Sequence, residues 1–142
     1  MAEKKVLLAS HGELALGLKK TVEFFLGRKD SILAVCAYLD ASDDYSNVIQ
    51  KFIEESKEGE AVIFTDILGG SVNQQVMIKV KESQKKIPVI TSMNLPVVLS
   101  AAMEPNELTE ERVAELCSEC SPQMVALHTE REEAGDLDAF LE

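Results

Sequence analysis

Two residues with complementary chemistry stand at the ends of apolar runs. His11 follows Val6 to Ser10, where a helical pattern begins, and Asp66 follows Ala61 to Thr65. A carboxylate that accepts the proton of one imidazole nitrogen fixes the tautomer and leaves the other nitrogen bare, as a nucleophile requires. The same carboxylate stabilises the positive ring formed after attack. Gly69, Gly70 and Ser71 come next, just before another helical pattern. Close backbone approach, N–H donors and a hydroxyl suit phosphoryl oxygens, and the dipole of the helix after Gly12 adds to this. The chemistry indicated is a histidine that takes a phosphoryl group, with donors around it to spread transition-state charge. Taken singly, each residue has a plainer reading. A histidine at a strand end is often structural or superficial, an aspartate there often caps a turn, and paired glycines often just end a strand. Their meeting at one sheet edge is what favours chemistry.

That meeting depends on the elements. Val6 to Ser10 reads as a short buried strand, since continuous apolar runs mark strands covered on both faces of a parallel sheet. Leu14, Leu18, Val22, Phe25 and Leu26 then recur at helical spacing, with Gly27 as the stop. The alternation repeats: strand Ser31 to Leu39, helix Asp43 to Lys57 with Val48, Ile49, Phe52 and Ile53 on one face, strand Ala61 to Thr65, and helix Val72 to Ser83. Pro88 to Thr91 supplies a fourth strand, and a short helix follows with Pro96 in its first turn. A helix over Glu107 to Cys117 has Asn106 and Thr109 competing as its cap, and Pro122 to Thr129 reads as a last strand. Four strand-then-helix units predict an α/β fold, a parallel sheet with helices on both faces. Ligands gather at the carboxyl ends of such strands, which selects "SHG", "TDILGGS" and "SMNLP". If strands one and three are neighbours, His11 and Asp66 meet.

The whole chain sets the limits. Its 142 residues suit one domain, expected over residues 1–130, with an acidic tail over 131–142 that reads as mobile or weakly helical. A formal charge of −11 has the wrong sign for nucleic acid or anionic lipid and favours partners with a basic docking face. The N-terminus lacks a signal-peptide core and no run is long enough to span a bilayer, so a cytoplasmic protein is expected. Three cysteines, an odd number, agree with a reducing compartment.

Other motifs point elsewhere only weakly. Neither GxxxxGK[ST] nor GxGxxG occurs, so nucleotide and dinucleotide sites lack support. Cys117 and Cys120 form a Cys-x-x-Cys pair with His128 beyond, but zinc would need a second pair or two suitably spaced histidines. These thiols are read as packing a helix face, Cys36 as core, and His128 as structural or an interface residue.

Together "VLLASHGELALGLKKTVEFFLG", "VIFTDILGGSVNQ" and "SMNLPVVLSA" resemble the enzyme IIA domain of the mannose family in the phosphoenolpyruvate-dependent sugar phosphotransferase system (the PTS), over roughly residues 4 to 130. The resemblance implies a phosphocarrier. His11 would accept a phosphoryl group through Nε2 from the small carrier HPr and pass it to a IIB unit, which phosphorylates sugar entering through membrane subunits IIC and IID. Asp66 would orient the ring, and Ser71 with the Gly69–Gly70 backbone would hold phosphoryl oxygens, beside Gly12. It also implies a cytosolic homodimer with a mostly parallel four-stranded sheet and a C-terminal antiparallel strand exchanged between subunits, for which Pro122 to Thr129 is the matching segment. The family commonly has proline after Gly-Gly-Ser where this chain has Val72, so the first turn of that helix loses a fixed φ. Exchange of one N–P bond for another needs only in-line positioning and charge stabilisation, so no metal or cofactor is expected. Two other functions compete: the phosphotransfer subunit of a dihydroxyacetone kinase, whose first domain also resembles this sequence, and a non-catalytic regulatory domain binding a ligand at the same edge.

Overall fold

The computed structural model describes residues 3–28, 31–39 and 44–128. Four strands and five helices follow in chain order among them: β1 (Lys5–His11), α1 (Leu14–Leu26), β2 (Ile32–Ala37), α2 (Tyr45–Glu55), β3 (Ala61–Thr65), α3 (Ser71–Ser83), β4 (Val89–Ile90), α4 (Leu95–Ala102) and α5 (Glu110–Glu119). The strands form one parallel sheet in the order β2-β1-β3-β4. Strands one and three are therefore neighbours, with Ala9 opposite Thr65 as their last pair.

Strand alternation divides the core. Val6 and Leu8 of β1 pack with Val62 and Phe64 of β3 beneath α1, α4 and α5. Leu7 and Ala9 pack with Ala61 and Ile63 beneath α2 and α3. Both faces are covered, which is why these strands read as unbroken apolar runs. Parity also aims the residues at the strand ends. Ser10 faces the α1 side, where its hydroxyl accepts from the Ala15 amide at 2.8 Å, and His11 faces the side that carries α3.

Several elements differ in detail from the sequence reading. The buried stripe of α1 is Ala15 and Val22, with Leu18 and Leu26 half-buried, while Leu14 and Phe25 are exposed. Three- and four-residue spacing admits two adjacent stripes, and the bond from the Ala15 amide to Ser10 selects the one headed by the small residue. Val48, placed by periodicity on the buried face of α2, is exposed beside buried Ile49, Phe52 and Ile53. Thr109 caps α5, accepting from the Arg112 amide at 3.1 Å, so this helix starts three residues later than periodicity suggested. Cys36 is half-buried against the core, not enclosed by it. Pro122 to His128 forms no strand in the single chain and is exposed. The expected tail over 131–142 lies outside the described residues.

Lys85 closes the side of the sheet that carries α2. Its ammonium donates to the carbonyls of Ile53, Glu54 and Ser56 at 2.8, 2.9 and 2.9 Å, meeting the carbonyl oxygens and negative dipole at the end of α2. Lys85→Met keeps the stem and removes the charge. It should lower stability by about 1–2 kcal/mol, read as a lower urea midpoint with an unchanged slope.

Candidate active site

The chain turns sharply at the carboxyl end of β1. Gly12 has φ 62°, in the left-handed region, and this stops the strand one residue after His11. The Gly12 amide still donates to Ala37 of β2 at 2.9 Å, but β1 and β3 have already parted. In place of a further ladder bond, the His11 amide donates to Asp66 Oδ2 at 2.8 Å. The same oxygen lies 2.9 Å from His11 Nδ1. One carboxylate oxygen thus fixes both the backbone and the ring of one histidine.

Asp66 is itself anchored, since its Oδ1 accepts from the Ile67 amide at 2.9 Å. Burial alone would raise its pKa, but the hydrogen bonds from the His11 amide and ring and from Ile67 outweigh it and hold the carboxyl below its ordinary value. The carboxylate is 7% exposed and the imidazole 40%. With Nδ1 donating to Asp66, Nε2 is the bare nitrogen, on the exposed side, 3.2 Å from Ser71 Oγ.

Ser71 is the first residue of α3, behind Gly70 as cap, and no side chain caps that end. The loop before it is held from inside. Asn73, 1% exposed, accepts from the Gly69 amide at 3.0 Å and donates to Thr65 Oγ1 at 2.9 Å, tying loop, helix and strand together. Gly69 has φ 78°, a conformation suited to glycine. A Cβ on Gly70 would lie 3.4 Å from His11 Cε1, so glycine leaves the ring edge uncrowded. The amides of Gly69 and Gly70 are already engaged, by Asn73 Oδ1 and by the Ile67 carbonyl at 3.2 Å.

Of the residues singled out in the sequence, His11, Gly12, Asp66, Gly69, Gly70 and Ser71 come together. "SMNLP" does other work: Asn94 caps α4 through the Val97 amide at 2.9 Å and donates to the Cys120 carbonyl at 3.0 Å. Cys117 and Cys120 pack half-buried against the core, and burial, followed by the neighbouring Cys120, pushes the Cys117 thiol up, away from reactive thiolate. Two residues were missed, Asn73 and Tyr38. Tyr38 lies just beyond β2 with its ring stacked on the imidazole, centroids 5.4 Å apart, and its hydroxyl 2.8 Å from Ser71 Oγ. The strand-end rule applied to strand two as well would have found it.

An α/β domain with an exposed, carboxylate-oriented imidazole at its sheet edge is thus defined. The chain belongs to the PTS system fructose IIA component family, whose model it matches over residues 5–117. Membership makes it a phosphotransferase component of a sugar phosphotransferase system. Among solved structures it is similar to the mannose/sorbose specific IIA subunit of the phosphotransferase system from Enterococcus faecalis, at 20% identity and a TM-score of 0.72, over 91% of this chain and 99% of that one. It is also similar to the PTS IIA protein associated with the fucose utilization operon from Streptococcus pneumoniae, at 20% identity and a TM-score of 0.67, over 87% and 96% of the two chains. These likenesses concern the fold. No helix among the described residues is long and apolar enough to cross a membrane.

The depressed Asp66 pKa has a signed consequence. A carboxyl with a folded pKa below its unfolded one contributes stability in full above the unfolded value and loses it as pH falls through the folded one. Urea unfolding between about pH 7 and pH 2 should show Asp66→Asn less stable at neutral pH, with the gap closing below about pH 4. A gap independent of pH would contradict the assignment of charge to this carboxyl.

Proposed function

We propose that the chain is a phosphocarrier that accepts a phosphoryl group on His11 Nε2 from phospho-HPr and passes it to a IIB unit, for uptake and phosphorylation of a sugar through membrane subunits. One observation carries this reading: Asp66 holds His11 Nδ1 at 2.9 Å while Nε2 faces outward. In loading, the donor's N–P bond breaks as the Nε2–P bond forms, and the electron pair of the broken bond stays on the donor nitrogen. Nδ1 keeps its proton and donates it to the Asp66 carboxylate as a hydrogen bond throughout. The positive charge that the ring gains lies against a carboxylate already in place, so little reorganisation is needed.

The phosphoryl oxygens would meet the Ser71 hydroxyl and the first-turn amides of α3, because the Gly69 and Gly70 amides are occupied. Val72, standing where the family commonly has proline, keeps an N–H for that purpose. A macromolecular donor accords with the exposed Leu14, Ile67 and Leu68 in the segments flanking His11 and Asp66, and a basic docking face on it with the chain's charge of −11. Family membership favours the sugar system over the kinase subunit and the non-catalytic domain. A cytoplasmic location follows from the same role.

Incubation with enzyme I, HPr and phosphoenolpyruvate should add one acid-labile phosphoryl group by intact mass, and none to His11→Ala. Persistent phosphorylation of that variant would remove His11 from the role.

The same reading makes the chain a homodimer in which residues 122–128 add to the partner's sheet. Met124, Val125 and Leu127 are exposed in the single chain, and β4 is a two-residue strand at the sheet edge. Deleting residues 122–142 should yield a folded monomer by light scattering and circular dichroism. A stable dimer of the truncated chain would exclude the exchange.

A further inference from the structure

We propose that Tyr38 is a positioning residue of the histidine site, whose phenol holds the Ser71 hydroxyl on His11 Nε2 and whose ring backs the imidazole. The nucleophile is thereby kept aimed, and capped until a phosphoryl group displaces the hydroxyl. The effect on transfer rests on the phosphocarrier reading; the resting arrangement does not.

Counting protons gives the chain of hydrogen bonds a direction. In the neutral ring Nδ1 donates to Asp66, so Nε2 carries a lone pair and no proton. Ser71 Oγ, 3.2 Å away, must donate to it, and a serine hydroxyl has one proton. The 2.8 Å contact between Ser71 Oγ and the Tyr38 hydroxyl then has Tyr38 as donor. Tyr45, its hydroxyl 3.3 Å from that of Tyr38, can donate in turn. Ser71 therefore sits between two obligations. Its proton points at Nε2, and its oxygen is fixed by a phenol that stands just beyond β2.

The backbone agrees. Tyr38 has φ 67°, in the left-handed region where a non-glycine residue is strained. Burial does not explain an aromatic residue there, because Tyr38 is 58% exposed. The strained angle accompanies a ring stacked on His11 with 26° between planes and a hydroxyl placed on Ser71. Strain held beside a nucleophile by its contacts motivates a functional reading of the residue that bears it.

Once Nε2 carries phosphorus it no longer accepts from Ser71, whose hydroxyl is then free to turn to a phosphoryl oxygen, with Tyr38 still fixing the position of Oγ. Loss of the phenol should leave Ser71 poorly placed in both states.

Two measurements test this on the full chain. With 15N-labelled protein at about pH 9, above the ordinary imidazole range, Tyr38→Phe should move the His11 Nε2 resonance toward that of a nitrogen accepting no hydrogen bond, with Nδ1 unmoved. Loading of His11 by phospho-HPr, and separately by phosphoramidate as a small N–P donor without a docking face, should slow roughly three- to tenfold. Tyr38→Gly accepts the backbone angle without strain, so it should stay folded by circular dichroism and lose at least as much rate. An unmoved Nε2 resonance in Tyr38→Phe overturns the proposal, as does a parental rate with phosphoramidate. If phosphoramidate loads the unsubstituted chain and phospho-HPr does not, the HPr reading falls while the small donor still decides the role of Tyr38. If neither loads it, the phosphocarrier reading falls and the resonance alone decides.

Discussion

Asp66 Oδ2 accepts from the backbone amide and the ring of His11, at 2.8 and 2.9 Å. A carboxylate this far from solvent is tolerable only when its charge is met by donors, and Asp66 has three, counting the Ile67 amide on its other oxygen. The exchange is mutual. The carboxylate stays ionised because the histidine donates to it, and the histidine presents one tautomer because the carboxylate accepts. The polarity of everything further out follows: a bare Nε2, a Ser71 proton directed to it, and a phenol behind Ser71. A neutral amide at position 66 would leave the packing nearly intact and remove that order.

The rest of the fold serves to bring two chain segments, fifty-five residues apart, to one carboxylate oxygen. Parallel pairing of β1 with β3 sets the distance, and strand parity sends Ser10 to α1 and His11 toward α3. The Thr65–Asn73–Gly69 bonds then fix the loop from within, so the backbone leading into Ser71 is placed by a buried side chain. Lys85 does comparable work far from the histidine, holding the end of α2 against the start of the connection to β4.

Much of this was legible in the residues. Apolar runs located all four strands because a parallel sheet covered on both faces leaves few polar positions within them, and Ala61–Thr65 was bounded to the residue. Helix faces were less certain. Spacing alone could not choose between the Leu14 and Ala15 stripes of α1, since the deciding contact comes from Ser10 on the preceding strand. His11, Asp66 and Ser71 could be placed together because the carboxyl-end rule needs only strand order. Asn73 and Tyr38 escaped it. Asn73 acts from inside a helix, where an asparagine carries no sequence signal for the loop it holds, and Tyr38 acts from a backbone angle that no apolar pattern reveals.

Nε2 of His11 is one atom, bordered by Tyr38 on a ring face and Ser71 at its tip. On the phosphocarrier reading, the protein that delivers the group and the one that collects it must occupy the same few square ångströms in turn. Neither can wait beside the other. Tight grip on either would stall the relay, so brief encounters guided by long-range charge suit this surface better than a durable complex. Throughput would then be governed by how fast each visitor departs.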